Sequence, residues 1–272
     1  MQHHYRAVGG GSAIAARRER DRRAPAVLLS QAASRPGILP RHMTTSLPKT
    51  TVTLVLAIAS LSVPAQVPPG ATEERAYTGL FAAATNGDAQ AIKRAIAAGG
   101  AVSARDSYKR TPLHVATYKS NIPALRALVA AGADPNALEN DRYDIVTIAA
   151  VANDLPTLEA ALEIGCKATN VTSRYDGTAL IAAAHLGHAE VVRRLILAGA
   201  PLNHVNNLGW TAVIESIVLG DGGAGHQATL RHLIDAQADL NLADRDGTRP
   251  LGLARGRGYA AMVKLLEAAG AR

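Results

Sequence analysis

Residues 111–116 read Thr-Pro-Leu-His-Val-Ala, and related hexads begin at Thr78 (TGLFAA), Asp144 (DIVTIA), Thr178 (TALIAA), Thr211 (TAVIES) and Arg249 (RPLGLA). Successive starts lie 33, 33, 34, 33 and 38 residues apart, a period that marks internal repetition. Outward from each hexad, a stop recurs 21 residues on, once five inserted residues in the fifth unit are set aside: Gly99, Gly132, Gly165, Gly199, Gln237 and Gly270. Between hexad and stop lie Ile92/Ala95/Ile96, Leu125/Leu128/Val129, Leu158/Ala161/Leu162, Val192/Leu195/Ile196 and Leu230/Leu233/Ile234, spaced as one face of a helix. Each unit therefore reads as a short Ala-rich helix, a second amphipathic helix, and a residue that ends it in the left-handed conformation. Asp88, Asn121 and Asp154 stand just before the second helix, where they are expected to cap its free N–H groups, with His188 at the equivalent place. Pro123 and Pro156 fall in the first turn, where a missing N–H costs least.

One such pair cannot bury its apolar stripe, so stability requires neighbours stacked in series. The composition agrees: 48% of the 272 residues are hydrophobic but only 3% aromatic, which suits thin, close-packed helices of Ala, Leu, Ile and Val. In the sixth unit Val263 and Leu266 are followed by Glu267, as expected of a terminal repeat with one face in water.

The formal charge of +7 belongs to the first 49 residues, where Arg17 to Arg23 alone hold five Arg. Residues 66–272 carry 20 basic and 20 acidic side chains, so the repeats give no electrostatic support for nucleic-acid binding. Residues 43–65 (MTTSLPKTTVTLVLAIASLSVPA) have the form of a secretory signal: one Lys, an apolar run from about Val52 to Val63, then Val63-Pro64-Ala65 before Gln66. Cleavage after Ala65 and a periplasmic or secreted destination are expected; the alternatives are a membrane-anchored or cytoplasmic protein. The run is shorter than the ~20 residues that span a bilayer, so no stable membrane insertion is expected after cleavage. Residues 1–42 show no helical or strand period and read as a disordered extension, or as a start codon placed too early. A twin-arginine signal at Arg17-Arg18 is disfavoured because no apolar run follows closely. Residues 66–76 read as a linker and 77–272 as the repeat domain.

The period of 33, T-P-L-H-V-A and Gly132-Ala133-Asp134-Pro135-Asn136 resemble the ankyrin repeat, over about Tyr77 to Arg272. The resemblance implies an all-α solenoid of about six helix-turn-helix units joined by β-hairpin-like loops, working as a monomer that binds a partner protein without chemistry or cofactor. It also implies that His114 links adjacent repeats, and that contact is made by hairpin tips and by the exposed ends of first helices, which form a concave face. Four of the eight aromatics beyond residue 65, Tyr108, Tyr143, Tyr175 and Trp210, fall at or near tips, where rigid aromatics beside Arg have the composition of a binding hot spot. The partner-binding candidates are Tyr108, Lys109, Arg110, Tyr118, Lys119, Arg142, Tyr143, Arg174, Tyr175, His185 and Trp210. The form of the signal is also similar to that of exported bacterial members of the family.

Two departures stand out. Asp144-Ile145 replaces Thr-Pro in the third unit, which is expected to weaken that turn. Gly220-Asp221-Gly222-Gly223-Ala224-Gly225 interrupts the fifth; it lacks the Gly-Lys-Ser/Thr ending of a phosphate loop and reads as a surface loop that could wall the groove. The rival reading is a metal-binding or hydrolytic protein using His185, His188 and His226. Against it, the sequence contains no HExxH, G-x-S-x-G or EF-hand pattern, and His188 and His226 align with a turn histidine of the family. The lone cysteine, Cys166, excludes an internal disulfide and reads as a small buried residue.

Overall fold

A computed structural model describes residues 66–272. The extension at 1–42 and the signal at 43–65 lie outside the described residues. Six helix pairs follow one another: α2 (Gly79–Asn86) with α3 (Ala89–Ala97), α4 (Pro112–Tyr118) with α5 (Ile122–Ala130), α6 (Ile145–Val151) with α7 (Leu155–Glu163), α8 (Ala179–His185) with α9 (Ala189–Leu197), α10 (Ala212–Val218) with α11 (Ala224–Asp235), and α12 (Pro250–Gly256) with α13 (Ala260–Ala268). A helix α1 (Ala71–Ala76) precedes them, and strands β1 (Val171–Thr172) and β2 (Gly177–Thr178) pair antiparallel in the tip between the third and fourth units. First helices contact first helices and second helices contact second helices along the series, giving two parallel layers of helix.

Four of the six hexads open on a residue whose side chain caps the first helix: Thr111, Asp144, Thr178 and Thr211. Thr178 and Thr211 each accept from the backbone N–H three residues on, at 3.3 Å. Asp144 does the same for Thr147 at 2.8 Å and also accepts from Asn170, so the third turn is capped by a buried carboxylate where a weak turn was expected. The sixth residue of each hexad, Ala83, Ala116, Ala149, Ala183, Ser216 and Ala254, is small and buried throughout. That lets neighbouring first helices approach closely and explains a core with few aromatics. Behind them Leu125, Leu128, Leu158, Leu195, Leu230 and Leu233 are fully buried between the layers, each contributing roughly 1.5–3 kcal/mol of hydrophobic stabilisation.

Asp88 and Asp154 cap α3 and α7 as expected. Asn121 does not cap α5; its amide donates instead to the carbonyls of Ala84 and Thr85 in the preceding unit, at 3.1 and 2.8 Å. It ties two repeats together. The glycine-rich insertion is not a loose loop: Gly223 caps α11, which at 12 residues is the longest helix described, Asp221 accepts from Gly223 N–H, and Tyr259 donates to the Gly220 carbonyl.

Residues 66–76 are also more than a linker. α1 is pinned to the second unit through Arg110, whose guanidinium donates to Asp106, to the Val67 carbonyl and to Glu73, while Glu74 pairs with Lys119. Arg110 is therefore 0% exposed, a structural ion at the base of a tip. Burial opposes ionisation of Asp106, but hydrogen bonds from Tyr77 and Arg110 hold its carboxyl below the usual range.

Candidate functional site

Each tip is built on one side chain at its base that accepts from the N–H groups two and four residues on. Asp106 takes Tyr108 and Arg110, Glu139 takes Asp141 and Tyr143, Ser173 takes Tyr175 and Gly177, Asn206 takes Leu208 and Trp210, and Asp244 takes Asp246 and Thr248. Adjacent tips are then laced together: Asn140 N–H donates to the Tyr108 carbonyl, Ser173 to Arg142, and Asn207 to Tyr175. The tips thus form one continuous strip beside the first helices.

Between that strip and the first helices of the third to fifth units lies a cleft of about 340 Å³. Thr147 and Val151 of α6, Ile181, Ala182 and His185 of α8, and Glu215 of α10 form one side; Tyr143 and Tyr175 come from the tips, and Leu186, 41% exposed, stands at the mouth. Gln66 reaches in from the opposite edge and donates to the Thr147 carbonyl at 3.1 Å. At the floor Glu215, 4% exposed, accepts from Asn206 at 2.9 Å and lies 3.4 Å from His185 Nδ1.

Of the residues singled out from sequence, Tyr143, Tyr175 and His185 meet in this cleft. Tyr108, Lys109, Arg142 and Arg174 are exposed on the strip, and Trp210 is half-buried. Arg142 is paired with Asp176 and Arg174 with Asp141, so both serve the lacing between tips. Two residues do not belong to the exposed ladder the sequence suggested. Arg110 is covered by α1, and Tyr143 is only 4% exposed because it forms part of the cleft floor, where burial pushes its phenol up to about 12. Tyr118 and Lys119 lie away from the cleft: Lys119 meets Glu74, and the Tyr118 hydroxyl is buried with no partner among the described residues. Gln66, Asn206 and Glu215 were missed. Glu215 alone left a sequence signal, a charge inside a hexad.

The histidines have structural work. His114 accepts from Thr111 N–H through Nδ1 and donates through Nε2 to the Ala137 carbonyl, joining its hexad to the next tip; burial depresses its pKa to about 4. His188 donates to the Ala150 carbonyl and His226 Nε2 to that of His185, each at the C-terminal end of the preceding unit's first helix, while His226 Nδ1 meets the Asp221 carboxylate of its own unit. Among the described residues no group of three His, Cys, Asp or Glu is placed to hold a metal. Cys166 is buried and its thiol is pushed up by that burial, away from reactivity.

A family model described as ankyrin repeats (3 copies) matches residues 53–139 and 146–241. The chain is 40% identical over 103 residues to the ankyrin repeat protein YahD of Escherichia coli strain K12, a match covering 38% of this chain and 51% of YahD; it thus spans about half the length of that curated relative. Among solved structures it is similar to an ankyrin repeat domain from Acinetobacter baumannii AYE, with TM-score 0.66, 46% identity, and coverage of 71% of this chain and 98% of that one. It is also similar to the ankyrin repeat domain of Bcl-3, a member of the IkappaB protein family, with TM-score 0.65, 27% identity, and coverage of 72% and 87%.

Proposed function

The chain belongs to the ankyrin-repeat family, whose repeats generally serve as protein–protein interaction modules, and from that premise we propose that it binds a partner protein on the face formed by its first helices and tips, without catalysing a reaction. The observation that carries this reading is the cleft between tips and first helices, lined by Tyr175, Ile181 and Val151 with Leu186 exposed at its mouth. An apolar concavity with a few convergent polar groups is the form a binding site takes. The strip supports it too: exposed Lys109 holds φ of 56° at a position where the later tips have Gly209 and Gly247, so a side chain is kept there at a backbone cost of roughly 1 kcal/mol.

We further propose that the protein acts in the periplasm or outside the cell, after cleavage beyond Ala65. The signal-like residues 43–65 support this, and Gln66, which would become the N-terminus, is already packed on Thr147. Among the described residues no helix is long and apolar enough to cross a membrane.

Affinity capture with the full chain tests the binding face. A partner retained by the native protein should be lost from a Tyr108→Ala, Tyr175→Ala, Trp210→Ala variant, and retained by Leu197→Asp, since Leu197 is 69% exposed on α9 in the other layer. Loss in Leu197→Asp with retention in the triple variant contradicts the proposal.

A further inference from the structure

We propose that the cleft receives a single basic side chain, lysine or arginine, from an extended segment of the partner, with Glu215 as the counter-charge; this rests on the protein-binding reading of that face. The fifth hexad residue is apolar in every other unit, namely Ala82, Val115, Ile148, Ala182 and Leu253, and only in the fifth unit is it charged. The scaffold therefore does not ask for Glu215. Where it sits, it is met by one amide and one imidazole and by no Lys or Arg among the described residues. One oxygen accepts from Asn206, whose amide is fixed because its own Oδ1 holds the Leu208 and Trp210 N–H groups, and the other faces only His185 at 3.4 Å. A buried carboxylate without a permanent cationic partner favours a cation brought to it.

The remaining walls suit the stem of such a side chain. Ile181, Val151 and Leu186 offer apolar surface to methylenes, Ala182 adds only a methyl to the lining, and Tyr175 offers an aromatic ring. Among the described residues no second acidic side chain lines the cleft, so one positive charge is matched rather than several. At the edge of the cleft the Gln66 side chain donates to the Thr147 carbonyl, so a backbone carbonyl of α6 is open to a hydrogen-bond donor from outside the repeats.

The test is calorimetric titration of the full chain with acetyl-Ala-Val-X-Val-Ala-amide, where X is lysine, arginine, norleucine or glutamate. Lysine and arginine peptides should bind at least about tenfold more tightly than norleucine, the difference a charge-assisted hydrogen bond supplies. That preference should collapse in Glu215→Gln. Because Glu215 is buried, Leu186→Arg provides a second variant at the exposed mouth, placing a competing cation there; lysine-peptide binding should be lost while the melting temperature is kept. Equal binding of lysine and norleucine peptides overturns the charge assignment and leaves the protein-binding face standing. Tighter binding of glutamate, no binding of any peptide at millimolar concentration, or undiminished lysine-peptide binding by Leu186→Arg also overturns it, and the capture experiment then judges the face independently.

Discussion

Gln237 holds φ of 64° where the other five units place Gly99, Gly132, Gly165, Gly199 and Gly270, all with positive φ. A side chain in that region is strained, so Gln237→Gly should raise stability by about 0.5–1 kcal/mol in thermal unfolding, and Gly199→Ala should lower it by a similar amount. His114 makes a second prediction. It is neutral in the fold with a pKa of about 4, against an ordinary value of 6.5, because burial opposes its charge. The unfolded chain therefore takes up a proton first as pH falls below 6.5, so this contribution is fully present above pH 6.5 and is lost progressively down to about pH 4. The linkage amounts to roughly 3 kcal/mol as an order of magnitude. Urea midpoints at pH 7 and 4.5 should differ less in His114→Gln than in the native protein, though the variant is weaker at pH 7. At this scale the sequence told the role of His114, read from its place in a known hexad, and put Tyr175 and His185 at positions that do converge. It could not tell that Arg110 is buried, because the residues that cover it, Val67 and Glu73, are 43 and 37 positions away and belong to no repeat.

The six helix pairs were legible because each carries its own start, stripe and stop. α1 was not: it has only six residues, too short to be a stable helix alone, and it exists through Arg110, Lys119 and their carboxylate partners. Arg110→Gln should therefore release residues 66–76, making their amides exchange rapidly while α6 to α13 stay protected. Global stability should fall by about 3 kcal/mol, since Asp106 is left buried without its ion partner. The tips were only half legible. Their exposed residues could be counted off from the hexads, but the residues that build them, Asp106, Glu139, Ser173, Asn206 and Asp244, differ in chemistry while doing one job, accepting from N–H groups two and four residues on. The insertion in the fifth unit misled for a related reason: its glycines look loose, yet Asp221 and Tyr259 fix the turn and let α11 begin early.

Across the whole molecule, two layers of helix have different surfaces. The outer layer carries ordinary solvated ion pairs such as Arg126 with Glu163 and Arg193 with Glu190, which contribute little to stability. The other face combines the laced tips, the apolar cleft and a carboxylate that packing does not require. Repetition made the scaffold readable, since any position can be compared with five others. The same comparison isolates Glu215, a charge at a hexad position that is apolar in the other five units. The cleft as a space was not legible, because it lies between elements of three successive units and includes Gln66 from outside them. The central claim is that a partner is held on this face, and the most direct measurement is hydrogen–deuterium exchange of the full chain with and without a captured partner. Slowed exchange in the tips around Tyr143, Tyr175 and Trp210 and in α6, α8 and α10, with α7, α9 and α11 unchanged, is the predicted result; slowing confined to α7, α9 and α11 would contradict it.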